Sequence, residues 1–163
     1  MSKHKDKLKA LKFESLKLKY PNFPEHAIPV PVYSDKTANG LTTMVIDWLQ
    51  LNKHQAERVN TMGTARVEKG IKDEVFNRGT PTKITWTPGG GTKGSADIHS
   101  TIHGYSVKWE VKIAKDRQSD YQKKYENDVK AAGGLYFIIK DFDQFYEIYQ
   151  KIVEKLKPII LDF

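Results

Sequence analysis

The chain has 163 residues, a formal net charge of +7 and no cysteine. Disulfides and thiolate sites are therefore excluded, which fits a reducing compartment. The lysine-rich N-terminus lacks the apolar stretch of a signal peptide, and no apolar run approaches the length of a membrane span. These features predict a soluble protein of the cytoplasm, with no membrane partner, whose positive charge suits a polyanionic partner.

Most of the positive charge lies near the N-terminus. Residues 1–20 carry seven lysines and only two acidic residues, which leaves a net charge of +2 for the other 143 residues. Leu8, Leu11 and Leu16 stand among these lysines at approximately helical spacing. We expect a helix that either lies along a nucleic-acid backbone or packs its leucines on the core.

Four prolines between Pro21 and Pro31 exclude a helix from the next segment, which should run extended across the surface. We therefore divide the chain into residues 1–34, a basic helix with a Pro-rich extended segment, and residues 35–163, the core domain. Apolar residues at helical spacing predict a first core helix over residues 40–51. Asn39, just before it, is typical of a helix N-cap.

Shorter elements follow this helix. Gln55 to Val59 alternates as a strand, and Ile84 to Thr87 forms another short strand. Residues 61–78 are compatible with an inserted helix or an irregular loop. The Gly-rich segment 89–94 predicts a flexible loop whose backbone amides can approach phosphate, with Lys93 as its charged contact.

Residues 94–112 predict a β-hairpin with its turn at His103-Gly104, where glycine provides the positive φ of a tight turn. This register places Ile102 opposite Tyr105 and Asp97 opposite Glu110. Alternation along the strands separates a polar face from an apolar face. The polar face comprises Asp97, His99, Thr101, Ser106, Lys108, Glu110 and Lys112; the apolar face comprises Ile98, Ile102, Tyr105, Val107, Trp109, Val111 and Ile113.

Asp97 and Glu110 would be neighbours of like charge, which destabilises a sheet unless a cation lies between them. Oxygen ligands suit Mg²⁺ or Mn²⁺ rather than zinc. Lys112 points to the same place, where it could orient or deprotonate an attacking water or stabilise charge on a phosphoryl group. The alternative is an amphipathic surface hairpin whose charges are solvated.

A helix is predicted from Asp120 to Ala132, capped by Ser119 and ended by two glycines. Tyr121 and Tyr125 are expected on its inner face. The apolar run 135–139 predicts a buried strand. A capping box formed by Asp141 and Gln144 opens the last helix, which ends before Pro158.

Asp97, followed on the next strand by Glu110-Val111-Lys112, resembles the pattern of the PD-(D/E)xK nuclease superfamily. The segment 94–97 and the later helix with Gln122 look most like its VRR-NUC family, which is related to Holliday-junction resolvases. The resemblance covers roughly residues 37–145. Ala96 stands where the family usually has proline, and only Asn39 lies near the place of the family's helix carboxylate.

The resemblance implies a restriction-endonuclease-like α/β core, with a mixed sheet of about four strands flanked by helices. It implies a metal-dependent DNA endonuclease, often structure-specific for branched or flapped DNA, and leaves a homodimer possible. Asp97, Glu110 and the Val111 carbonyl would hold the metal, while Lys112 and Gln122 would complete the catalytic set.

Three further positions are candidates for contacts with DNA. Arg58 and Asn60 resemble an Arg-x-Asn stretch of VRR-NUC relatives and could touch phosphate, as could Lys93. Asn39 could lend an oxygen to the site or serve only as a cap. Two other functions stay open: a catalytically silent DNA-binding accessory module of the same fold, for example from a phage or mobile element, and a protein-interaction domain with a basic tail.

Overall fold

A computed structural model describes residues 3–60, 64–68, 70, 82–87, 89 and 91–157. Within these ranges the chain forms four α-helices and six β-strands. The elements are α1 (Lys3–Lys19), α2 (Ala38–Leu51), β1 (Gln55–Arg58), β2 (Thr64–Glu68), β3 (Lys83–Thr87), β4 (Ile98–Ile102), β5 (Tyr105–Val111), α3 (Asp120–Ala131), β6 (Leu135–Ile139) and α4 (Phe142–Lys155).

The central sheet has four strands in the order β1-β4-β5-β6. β4 pairs antiparallel with both β1 and β5, whereas β6 pairs parallel with β5. A parallel pair needs a long crossover, and here the crossover contains α3. The predicted α/β fold, with a mixed four-stranded sheet flanked by helices, is therefore confirmed.

The turn of the β4-β5 hairpin lies where the sequence predicts it. His103 and Gly104 both have positive φ, 52° and 90°, as a two-residue turn that matches strand twist requires. Ile102 pairs with Tyr105, and the ladder runs back to Ile98 opposite Trp109. The next step of this register brings Asp97 beside Glu110.

The hydrophobic core covers the apolar face of the hairpin. α2 contacts β4 and β5, α4 contacts β6, and α1 packs on both α2 and α4. Ile98 and Trp109 are fully buried in this core. The indole Nε1 of Trp109 donates to Ser100 Oγ at 2.9 Å, so the buried polar atoms of this face satisfy one another.

Helix α1 is part of the same core. Leu8 is 0% exposed, while Leu18 of the same helix is 83% exposed. Lys5 forms an ion pair with Asp35 at 2.7 Å, and Lys12 forms one with Asp47 at 2.8 Å. Of the three predicted leucines, the structure therefore supports packing on the core for Leu8, whereas Leu16 is half-buried and Leu11 is 40% exposed. The Pro-rich segment that follows contains one short 3₁₀ turn, Glu25–Ala27.

Two local expectations need correction. The N-cap of α2 is Thr37, whose Oγ1 accepts from Gly40 N at 3.1 Å, and Asn39 lies inside the first turn. Residues 64–68 form a strand paired antiparallel with β3, so the inserted helix is wrong for them. The sequence Thr-Ala-Arg-Val-Glu is compatible with either structure in isolation, and pairing with β3 stabilises the strand. The rest of 61–78, except residue 70, lies outside the described residues.

The C-terminal half follows the prediction closely. α3 begins after its Ser119 cap and ends one residue before the predicted Ala132. Strand β6 has the predicted bounds. Asp141 caps α4 by accepting from Gln144 N at 2.8 Å. Gln144 Oε1 accepts from Lys140 N at 2.9 Å instead of from the N–H of Asp141, so only half of the predicted capping box is formed. These local patterns were sufficient because each cap and its partner lie within four residues.

Candidate active site

The proposed site lies at the end of the hairpin that is remote from its turn. Asp97 immediately precedes β4, and Glu110 and Lys112 lie at the end of β5. Lys112 N donates to Ile139 O at 2.9 Å, which extends the β5-β6 pairing by one bond. Because neighbouring strands hold the backbone on both sides, the polar side chains are presented from a rigid frame.

Glu110 is the most enclosed charged group of the site, since only 1% of its surface is exposed. Its Oε1 accepts from Lys112 Nζ at 3.1 Å and from the Gln122 amide, and its Oε2 accepts from the Tyr136 hydroxyl at 3.3 Å. Burial, and then the negative charge of Asp97, raise the pKa of Glu110 to about 7, although Lys112 opposes this rise.

Lys112 is 7% exposed and directs its ammonium group to three oxygen acceptors. These are Oε1 of Glu110 at 3.1 Å, Oε1 of Gln122 at 3.1 Å and Oδ2 of Asp116 at 3.3 Å. Burial alone would lower the pKa of Lys112, but its bonds to Glu110 and Asp116 raise that pKa above the ordinary value. Lys112 therefore keeps its proton at neutral pH.

Asp97 is tied to the edge of β5 rather than to another side chain. Its Oδ2 accepts from Val111 N at 2.8 Å, and its carbonyl accepts from Val59 N at 2.9 Å. Within a strand, the N–H and C=O of one residue point to the same edge. The Val111 carbonyl is therefore directed towards the edge occupied by Asp97, as the expected ligand set requires.

Gln122 joins the start of α3 to the hairpin. Its Oε1 accepts from Ser119 N at 2.9 Å and Ser119 Oγ accepts from Gln122 N at 3.3 Å, which forms a capping box. The same Oε1 accepts from Lys112, and Nε2 donates to Glu110. The capping bonds fix the amide orientation, so Gln122 positions both charged groups.

The donor set of this site fits a hard divalent cation. Burial next to Asp97 disfavours the ionised form of Glu110, and a cation would relieve that cost. Carboxylate and carbonyl oxygens are ligands that Mg²⁺ and Mn²⁺ accept. Among the described residues no three His, Cys, Asp or Glu side chains gather in one place. The protein would thus supply only some of the metal ligands, as is usual for Mg²⁺, which keeps several bound waters and binds substrate phosphate.

Of the three proposed DNA-binding residues, Lys93 lies beside the proposed site and Arg58 lies on the other face of the sheet. Arg58 donates through Nη2 to Asn39 Oδ1 at 2.5 Å. It pairs with Ile98, whose side chain is on the core face, so Arg58 lies on the face opposite Glu110. Asn60 is exposed just beyond β1. Lys93 is also exposed, and its Nζ lies 3.8 Å from the centre of the Tyr121 ring, next to Gln122.

The sequence reasoning missed several residues of the site. Tyr136 lies in an apolar strand, and its hydroxyl contacts Glu110. A buried tyrosine hydroxyl needs a polar partner, and this requirement is the sequence signal that could have identified Tyr136. Asp116 reaches Lys112 across a turn that no periodicity describes. Gly94 belongs to the predicted loop and to the segment 94–97, but its close contact is not predicted: a Cβ there would lie 2.5 Å from the backbone of Tyr121. The contacts of Tyr136 and Gly94 are tertiary and leave little local trace, whereas Asp116 lies only four residues from Lys112.

No protein-family model and no curated protein matches this sequence. None of the described helices combines the length and apolar character needed to cross a membrane.

Proposed function

We propose that the protein is a Mg²⁺- or Mn²⁺-dependent DNA endonuclease of the PD-(D/E)xK type, similar to the VRR-NUC family. One observation carries the proposal: Asp97, Glu110, Lys112 and Gln122 converge at one end of the hairpin, with Glu110 and Lys112 both buried. Buried charges are costly and uncommon unless they are paired, and they concentrate at functional sites.

The reaction would be hydrolysis of a phosphodiester. A water molecule loses a proton to the solvent as its oxygen forms a bond to phosphorus. The bond from phosphorus to the leaving oxygen breaks, and that oxygen keeps the electron pair and takes up a proton from the solvent. A metal held by Asp97, Glu110 and the Val111 carbonyl would lower the pKa of bound water and offset charge on the phosphate. Gln122 holds the side chains of Glu110 and Lys112 in place, which restricts the geometry of attack.

The protonation state of Lys112 narrows its role. The three oxygen acceptors around the ammonium group favour the charged form of Lys112, which cannot accept a proton from water. A buried ammonium group is suited instead to stabilise the negative charge that develops on a phosphoryl oxygen. Its bonds to Glu110, Gln122 and Asp116 prevent it from turning away.

The surroundings of the site support a nucleic-acid substrate. Lys93, Lys115 and Arg117 are exposed in the loops beside it, and Lys123 in the first turn of α3 is exposed and paired with Asp120 at 3.0 Å. Such side chains neutralise backbone phosphates without reading the bases. Branched or flapped DNA is the proposed substrate and the cytoplasm of a bacterial or phage-infected cell the proposed location, and assembly as a homodimer is compatible with this function.

A catalytically silent DNA-binding module of the same fold is the second candidate. The observation that favours it is the enclosure of Glu110, which is 1% exposed and has protein partners at both carboxylate oxygens. In that case the network would serve stability alone. A basic surface would still bind DNA, but the protein would not cleave it.

A metal titration against a panel of DNA structures separates these candidates. The purified protein would be incubated with Mg²⁺ or Mn²⁺ and end-labelled flap, splayed-arm, four-way-junction, single-stranded or duplex DNA. The nuclease proposal expects cleavage that requires metal, stops with EDTA and is lost in Lys112→Ala. Binding in gel-shift assays without cleavage under any metal condition would establish the silent module instead.

A further inference from the structure

Tyr121 is an exposed aromatic residue beside the proposed site. It precedes Gln122 in the first turn of α3 and is 54% exposed. Helical spacing predicts Tyr121 on the inner face, one turn before Tyr125, which indeed contacts His99. That expectation is wrong for Tyr121. The ring is instead presented to solvent beside Gln122 of the site.

A cation accompanies the ring. Lys93 Nζ lies 3.8 Å from the centre of the Tyr121 ring, well within the range of a cation–π contact. Lys93 is itself exposed and belongs to the Gly-rich loop that leads to Asp97. The aromatic ring and the positive charge are thus next to each other and next to the side chains that would act on phosphate.

The backbone holds this pair together. Gly94 has φ of +85°, and a Cβ at this position would lie 2.5 Å from the carbonyl carbon and oxygen of Tyr121. Only glycine allows the loop to approach the first turn of α3 so closely. Because Lys93 directly precedes Gly94, the loop places its ammonium group over the ring as a consequence of backbone packing.

We propose that Tyr121 is a stacking platform for an unpaired base next to the cleaved phosphate, and that Lys93 binds the phosphate of that nucleotide. The inference deepens the proposed nuclease function and rests on it. Stacking on an aromatic ring, combined with backbone charge, is a common way to bind single strands without sequence preference. A base within a duplex already stacks on its neighbours, so the platform selects single-stranded, flapped or splayed DNA.

The test measures binding and cleavage separately, using an oligonucleotide as a single strand and as a blunt duplex. Binding is followed by fluorescence anisotropy in EDTA, and cleavage is followed in Mg²⁺. Tyr121→Ala should weaken single-strand binding about 5-fold or more, because stacking on one ring contributes at least about that much. Tyr121→Phe retains the ring and should stay within about 2-fold of the wild type. Phe23→Ala removes another exposed aromatic ring, 59% exposed, and should change nothing.

Lys93→Gln tests the second half of the pair. It should lower the salt dependence of single-strand binding by about 0.7 in the log-log slope, the value for one phosphate contact on a single strand. Binding to the duplex should change less than binding to the single strand in both Tyr121→Ala and Lys93→Gln. Equal losses on both DNA forms would overturn the inference, since they would indicate a general charge or folding effect.

The two proposals fail in different ways. If the wild type binds single strands without cutting them, and Tyr121→Ala weakens that binding, the platform stands and the nuclease function falls. If the wild type cuts DNA and Tyr121→Ala has the same preference for single strands, the platform falls and the nuclease function stands. A wild type that does not bind single-stranded DNA overturns the platform outright.

Discussion

Asp97→Asn removes one negative charge from the site while keeping the shape of the side chain. In the wild type, Asp97 Oδ2 accepts a hydrogen bond from Val111 N at 2.8 Å, and the amide oxygen of asparagine can still accept it. Glu110 has its pKa raised from 4.5 to about 7, first by burial and then by Asp97. A rise of this size means that ionising Glu110 costs the folded protein about 3 kcal/mol more than it costs the unfolded chain. Since burial is the larger cause, we attribute about 1 kcal/mol to Asp97.

The sign of the effect follows from the direction of the shift. A carboxyl group whose pKa is raised in the folded state does not lower the free energy of unfolding at pH values below its unfolded pKa. The free energy of unfolding falls as pH rises from the unfolded pKa through the folded pKa. The metal-free wild type should therefore lose stability between about pH 4.5 and pH 7 through Glu110. Asp97→Asn should be about 1 kcal/mol more stable at pH 8, or about 2–4 °C in Tm for a chain of this length. At pH 4.5 the gain should be absent.

Thermal denaturation by circular dichroism, in EDTA at the two pH values, measures this difference. Asp116→Asn is the matched control, because Asp116 lies 3.3 Å from Lys112 and its charge attracts instead of repelling. That variant should be slightly less stable at pH 8. Mg²⁺ should raise the Tm of the wild type and leave that of Asp97→Asn unchanged. If Asp97→Asn is destabilised equally at both pH values, Asp97 acts only as a hydrogen-bond acceptor and the charge argument is refuted.

Three further predictions concern the positioning residue, the N-terminal helix and a histidine pair. Gln122→Ala should lower the cleavage rate about 10-fold without abolishing Mg²⁺ binding. It should also lower the free energy of unfolding by about 1 kcal/mol, because the cap of α3 is lost. Loss of the whole fold would contradict a positioning role. Leu8→Ala should lower the free energy of unfolding by about 2–5 kcal/mol, and Leu18→Ala, at an 83% exposed position, by less than about 0.5 kcal/mol. Urea unfolding measures both values. Equal effects would contradict the packing of α1 on the core. Burial, and then the charge of His103, lower the pKa of His54 in the folded protein. The contribution of His54 to the free energy of unfolding should therefore be complete above about pH 6.5 and be lost as the pH falls below that value. His54→Gln should flatten that dependence in urea unfolding between pH 5 and pH 7, and an unchanged profile would exclude His54 as its source.

The parts of the fold that the sequence predicted are those set by local rules. Gly104 determines the hairpin turn, and strand alternation then determines the register that brings Asp97 beside Glu110. Ser119 at the start of α3 is a local cap of the same kind. Each of these features depends on residues close in sequence, so a single chain was enough to identify it.

The remaining features depend on contacts between distant parts of the chain. The docking of Leu8 in the core could not be separated from a DNA-binding arm, because both arrangements place leucines among lysines. The environment of Glu110 includes Tyr136, whose hydroxyl comes from a strand 26 residues later. Helical spacing places Tyr121 and Tyr125 on one face of α3 but does not specify which turns of the helix are covered, and Tyr121 is 54% exposed.

The central claim is that the buried Glu110 and Lys112, together with Asp97, hydrolyse phosphodiester bonds with a divalent metal. Single-turnover cleavage of a flap substrate in Mg²⁺ tests it most directly, comparing the wild type with Asp97→Asn, Glu110→Gln and Lys112→Met. Lys115→Met, at an exposed lysine of the adjacent loop, is the control for loss of charge. We predict a fall of at least about 100-fold for each of the three site variants, and less than about 5-fold for the control. Folded site variants that cut as fast as the wild type would contradict the account.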